Sequence, residues 1–178
     1  MNKVQDVKKS SLTFAPEAGS QRLRNVINKG LTEEVILQGA KLAFEGGWTR
    51  VKLYFMLGIP FETEEDIRGI AELCNKIAAE FYDTVPKEKR NGRVQIVAST
   101  SFFIPKPFTP FQWAPQCRKE DFLNKAYLTR TAIMSQLNQK SIKYNWHEAD
   151  ASVMEGILAR GDRKVNQVIL RAYEKGCF

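Results

Sequence analysis

Three stretches of this sequence carry residue types that bind a ligand or shape a pocket. The first, Pro16-Glu17-Ala18-Gly19-Ser20, sets a carboxylate beside a glycine at the start of a helix that Ser20 opens. Glycine permits close backbone approach there, and the amides of a helix start can hold an anion. The second, residues 56–63, contains Gly58 and Pro60, which shape a tight turn and turn backbone polar groups outward. The third runs from Ser99-Thr100-Ser101 into residues 102–113, where aromatics alternate with prolines around Lys106. That segment reads as a substrate mouth, a base-stacking surface or a stiff connector.

Other chemistries are excluded. Cys74, Cys117 and Cys177 are far apart and match no metal-ligand spacing, and an odd, sparse count argues against a disulfide framework. One histidine, His147, removes paired-histidine zinc motifs; it reads as a satisfied structural histidine or as a general base. The net charge of +7 permits an acidic partner such as RNA without demanding one. Its densest basic cluster, Lys87, Lys89, Arg90 and Arg93, reads as a solvated loop or a nucleic-acid contact. Arg160-Gly161-Asp162-Arg163 reads as a helix end and restart or a phosphate contact.

The elements that position these residues follow from periodicity and caps. With 178 residues, 43% hydrophobic and 26% charged, the chain fits one globular domain. Residues 11–15 read as a strand ending at Pro16, and Ser20 caps a helix that Gly30 stops. Thr32 begins a helix ended by Gly46-Gly47; residues 50–57 form an apolar strand suited to cover on both faces. Thr63 starts a third helix, followed by a basic linker over about 82–93. A strand at 94–98, a long helix over about 120–139, a strand at 141–146 and two final helices complete the order. Alternation of this kind points to an α/β fold with parallel strands and outer helices. Three or four strands are too few for a closed eight-stranded barrel, which needs ~200 residues or more. No apolar run reaches membrane-span length, and Met1-Asn2-Lys3-Val4-Gln5-Asp6 lacks the apolar stretch of a signal peptide, so a cytoplasmic protein is expected.

Residues 12–30 followed by Leu57-Gly58-Ile59-Pro60-Phe61-Glu62-Thr63 resemble the second half of a radical SAM core domain. The shared form is a polar residue ending a strand, a helix with an Arg/Lys-Gly exit, then a strand ending in Gly-apolar-Pro-x-Glu-Thr. Residues 104–113, Tyr144-Asn145-Trp146-His147 and 158–163 are similar to the continuation in a bacterial radical SAM family with a cobalamin-binding-like N-terminal region.

The resemblance implies a partial (β/α) TIM-type barrel over residues 1–115 and a small C-terminal α/β extension over 116–178. It implies cofactor-binding roles for Glu17, Gly19, Ser20, Lys29, Tyr54, Met56, Leu57 and Gly58. Glu17 would contact the methionyl or ribose part of S-adenosylmethionine and Lys29 the methionine carboxylate, at a position often Arg in relatives. Tyr54 occupies a ribose-contacting position, and Met56, Leu57 and Gly58 pack near adenine. Each has a plainer reading: Glu17 and Lys29 as helix-end charges, Tyr54 as core, Glu62 and Thr63 as caps.

A [4Fe–4S] cluster in this family needs CxxxCxxC, which this sequence lacks. The expectation is therefore a C-terminal portion of a longer enzyme that uses S-adenosylmethionine and a [4Fe–4S] cluster, its partner being an N-terminal half that carries the cluster. This chain alone is expected to bind no metal, to hold no catalytic residue of its own and to be inactive. Cobalamin has no support in these residues, and the substrate is undefined. The alternative is a non-catalytic module that binds RNA or a protein partner.

Overall fold

Each strand of the sheet is followed by a helix, and side-chain caps fix where the main helices begin. The computed structural model describes residues 11–177; Met1–Asp6, read above for a targeting signal, lie outside that span. The order is β1 (Leu12–Glu17), α1 (Gln21–Val26), α2 (Glu33–Glu45), β2 (Arg50–Leu57), α3 (Glu64–Thr84), β3 (Gln95–Phe102), α4 (Lys119–Met134), β4 (Ile142–Trp146), α5 (Ala149–Arg160) and α6 (Val165–Glu174). Ser20 caps α1, Thr32 caps α2, and Thr63 forms a reciprocal capping box with Asp66 at the start of α3.

The four strands lie in chain order, β1-β2-β3-β4, and every neighbouring pair is parallel. This is the α/β architecture of a partial (β/α) barrel. Right-handed crossovers that always step in the same direction lay successive helices on one side of the sheet. Accordingly α3 packs against both α2 and α4. Between that layer and the sheet lies the main core: Val51, Leu53, Phe55 and Leu57 of β2 with Ile36, Phe44, Ile70, Leu73, Ile77, Phe81 and Phe122. Phe102 stacks on Phe122 with centroids 4.3 Å apart, and Phe44 meets Phe81 edge-on at 5.2 Å.

The topology corrects the expectation for β2. Its burial alternates, with Val51, Leu53, Phe55 and Leu57 buried and Arg50 and Tyr54 exposed. Only one face is covered by the helix layer. The other carries a polar row in register, Tyr54 beside Ser99 beside Asn145, and a second row of Lys52, Val97 and Lys143.

Several boundaries shift for physical reasons. β1 runs through Pro16 to Glu17 because it is an edge strand whose register slips between Phe14 and Glu17, so the missing N–H is tolerated. α3 continues to Thr84 because Arg90 donates to the carbonyls of Tyr82 (2.5 Å) and Val85 (2.7 Å) and lies over the Tyr82 ring. β3 extends to Phe102, in full register with β2. β4 and α4, beyond residue 115, continue the same sheet and helix layer. Among the described residues no helix is long and apolar enough to cross a membrane.

The segment after β1 is pinned to α3 by backbone contact. A Cβ on Gly19 would collide with Ile70 N and Asp66 O, and one on Gly69 would come within 3.1 Å of Gly19 C. Substituting Gly19→Ala is expected to cost about 1–3 kcal/mol through overpacking, lowering the thermal midpoint by roughly 5 °C. Thermal denaturation followed by circular dichroism checks this; a variant melting with the parent would disprove the contact's importance.

Candidate functional site

The loops after β1, β2 and β3 and the end of β4 all open at the C-terminal edge of the sheet, where parallel α/β folds bind ligands. Among the described residues, three of the four non-glycine residues with left-handed backbone lie in these loops or at the strand end before them: Glu17 (φ 67°), Phe61 (φ 67°) and Phe108 (φ 62°). Such conformations cost energy and concentrate at functional sites.

Glu17 ends β1, and its Oε1 lies 3.3 Å from Lys29 Nζ, with both side chains about one-third exposed or less. Lys29 is brought back by the turn that ends α1: Asn28 takes a φ of 53°, Gly30 one of 63°, and the Lys29 N–H donates to the Arg24 carbonyl at 2.9 Å. The two candidates, separated by a helix in sequence, are therefore adjacent at the mouth.

Arg24 lies beneath them, with no exposed surface. Its Nη1 donates to the carbonyls of Ala18 (2.9 Å) and Gly19 (3.1 Å), and Nη2 to Gln21 Oε1 (3.2 Å), which also accepts from the Glu33 N–H. Among the described residues its Nε has no hydrogen-bond partner, and burial pulls its proton affinity down. Sequence reading did not single it out, because nothing in the spacing of an arginine reveals that it is buried under its own loop.

Asp66 is the second missed residue. It accepts from the Ser20 hydroxyl, from the Arg22 guanidinium, and from the Thr63 N–H at 2.7 Å, and it is buried. Burial opposes its ionisation, but the hydrogen bonds from Arg22, Ser20 and Thr63 outweigh that and hold its carboxyl down at about 2. Its signal was the capping-box spacing from Thr63; the partners from α1 had none.

The other candidates divide. The close approach that Gly19 allows is made to α3, and the Ser20 hydroxyl is engaged by Leu23 N and Asp66. Tyr54 stands on the uncovered sheet face and is 45% exposed. Met56 shares that face, whereas the Leu57 side chain points into the core. Gly58 (φ 83°) donates its N–H to Glu62 Oε2 at 2.9 Å, and Lys125 Nζ reaches the same oxygen at 2.8 Å. So Thr63 caps α3 while Glu62 turns inward and closes the Gly58 turn. Burial pushes the Glu62 carboxyl up, against the pull of Lys125.

A cavity of about 440 Å³ opens beside this mouth over the ends of β3 and β4. Met56, Phe102, Phe103 and Phe111 supply its apolar surface; His147 and Lys106 stand at its polar side. His147, a structural or general-base candidate from sequence, is exposed there, its backbone N–H donating to the Thr100 carbonyl at 3.0 Å.

The cysteines do not fit an iron–sulfur cluster. Cys74 is fully buried with its thiol pushed up to about 12 by desolvation, Cys117 is half-buried, and Cys177 is exposed. Among the described residues no three His, Cys, Asp or Glu side chains group as metal ligands. At the mouth, by contrast, an ammonium and a carboxylate, Lys29 and Glu17, face one another.

The model of the Radical SAM superfamily matches residues 1–74. Uncharacterized protein MJ0966 of Methanocaldococcus jannaschii is 36% identical over 163 residues, covering 92% of this chain and 33% of that protein. The chain thus spans about a third of the length of the curated relative it matches. No solved structure matches it.

Asp66 generates a pH prediction. Its folded value of about 2 lies below the ordinary 3.8, so its contribution is fully present above pH ~4 and is lost as pH falls towards 2. Asp66→Asn is expected to cost about 2 kcal/mol at neutral pH and to flatten the acid limb. Urea unfolding at pH 7, 4 and 2.5 measures both; an Asn variant with the parent's acid limb would contradict the assignment.

Proposed function

We propose that this chain, whose residues 1–74 match the model of the Radical SAM superfamily, is a C-terminal part of a radical SAM iron–sulfur enzyme in which Glu17 and Lys29 hold the amino-acid end of S-adenosylmethionine. The observation that carries this reading is the Glu17–Lys29 pair at the mouth, with Glu17 held in strained backbone. Lys29 binds the ligand's carboxylate, and Glu17 accepts from its ammonium or a ribose hydroxyl. Tyr54, on the uncovered face, offers one hydroxyl, while Met56 and the Gly58 turn form a surface for a ring. Arg24 and Asp66 touch no ligand; they fix the Glu17 loop against α3. S-adenosylmethionine bound here would supply, on accepting one electron from a reduced cluster, a 5′-deoxyadenosyl radical for hydrogen abstraction, with methionine released. The cluster, which these cysteines do not fit, belongs in this reading to another segment of a longer protein. Residues 116–178, with α4, β4, α5 and α6, are in this reading the family-specific extension.

The test has two parts. Anaerobic reconstitution of this chain with iron and sulfide should give negligible four-iron cluster, whereas a longer native chain bearing CxxxCxxC should form 5′-deoxyadenosine from S-adenosylmethionine. In that longer chain Lys29→Ala should raise KM for S-adenosylmethionine about tenfold, the loss of one charge-assisted contact. A stoichiometric cluster on the 178-residue chain would refute the partial-enzyme reading, and an unchanged KM would remove Lys29 from the site.

A second reading, an RNA-binding module, is favoured by one observation. Two adjoining cavities at the opposite, N-terminal end of β3 and β4 are lined by Arg93, Lys140 and Lys143 with no carboxylate among their walls. Arg90 is spent on the end of α3. This reading expects RNA affinity that falls with salt, with a slope lowered by about 1 for each of Arg93→Ala and Lys140→Ala; salt-independent binding excludes it.

A further inference from the structure

The loop between β3 and α4 is built as a wall, and its fastenings identify what it surrounds. Arg160 of α5 donates through Nη1 to the carbonyls of Pro105 and Gln112, each at 3.1 Å. Lys106 pairs with Glu155 of α5 at 3.0 Å, and the Phe103 and Phe111 rings meet edge-on at 6.1 Å. The loop is thus held at both ends and in the middle. Despite this, Phe108 is 99% exposed in left-handed backbone and Trp113 is 87% exposed. Rings held out in this way gain nothing from their own chain.

The cavity behind the loop has the size of a small-molecule site. Its aromatic walls accept a flat ring. Its polar groups can take an anion: Lys106, paired across the wall with Glu155, is joined by the His147 ring and the Ser101 and Thr109 hydroxyls. That pair is half-exposed on both sides and therefore weak, so an incoming anion can take Lys106 from it. Ser101 adds a half-buried hydroxyl whose hydrogen bond to the Phe55 carbonyl is stretched to 3.5 Å.

The cavity also adjoins the mouth. Met56 and Phe103 line it, and both pack on Ala18, Leu23 and Ile59 beneath the Glu17 loop. We infer that this cavity is the substrate pocket and takes a planar aromatic or heteroaromatic ring bearing an anionic group, with Lys106 binding the anion and Phe103 and Phe111 the ring. The role as substrate pocket rests on the radical SAM reading above; the binding chemistry does not.

The probe is 2-naphthoate, titrated into the 178-residue chain and followed by amide chemical shifts, with 2-naphthamide as the neutral counterpart. Naphthoate should bind with shifts centred on Ser101, Phe103, Thr109 and His147, about tenfold more tightly than the amide, as a charge-assisted contact requires. Lys106→Gln, an exposed substitution, should erase that difference, and Phe111→Ala should weaken both ligands. Equal affinity for the two probes, shifts confined to α5 and α6, or no binding at millimolar concentration would each overturn the inference. S-adenosylhomocysteine separates the two readings. Displacement of naphthoate by it would make this cavity the cofactor's own site, ending the inference while leaving the proposed function intact. Naphthoate binding as expected, in a chain whose cluster-bearing longer form makes no 5′-deoxyadenosine, would retain the pocket and end the enzyme reading.

Discussion

A buried guanidinium held by backbone carbonyls, with Glu33 and Glu34 acting on its charge without a direct bond, governs the mouth of this sheet. Arg24 lies under the loop it belongs to and satisfies its charge largely on backbone carbonyls, those of Ala18 and Gly19. Removing a cation from water is costly, so the geometry that compensates it is stiff. The two carbonyls cannot turn away without stranding the charge, and Gly19 cannot move because its backbone already touches α3. Asp66 then ties α1 to the first turn of α3 through Ser20 and Arg22. Glu17 sits one residue before this clamp and Lys29 five after Arg24, so the placement of both follows from it.

Topology decides the rest. Stepping in one direction leaves a sheet with a greasy face under helices and a polar face bare of them. The bare face holds residues that would be poor core, such as Lys52, Tyr54, Ser99 and Lys143, and these make sense only where solvent or a ligand reaches them. The C-terminal part of the chain acts on the same rim: α5 reaches back through Glu155 and Arg160 to fasten the loop after β3, which makes it part of the site's architecture.

Local signals in the sequence were read well where one residue acts on its immediate neighbours. Ser20, Thr32 and Thr63 cap the helices assigned to them, and β2 spans the expected residues. Two of the residues that the resemblance picked out, Glu17 and Lys29, meet in space, as a helix and a sharp turn between them require. What could not be read is pairing at a distance. Nothing in the chain marks Arg24 as buried, announces that Arg22 reaches Asp66, or shows that Arg90 lengthens α3. β2 misled because an apolar run looks the same whether one face or two is covered, and only the strand order separates them. His147 was ambiguous because its meaning depends on a cavity that α5 and the β3 loop close together.

Pro16 leaves one more mark on the molecule. Without an N–H, and next to a slip in register, the upper part of β1 offers a broken ladder to anything laid along its free side. A neighbouring strand docking there can zip along Leu12, Thr13 and Phe14 and must then part from the sheet. The seam left open lies beside Glu17, so a strand added on this edge would stop short of the sheet's C-terminal rim and leave that rim open from the side.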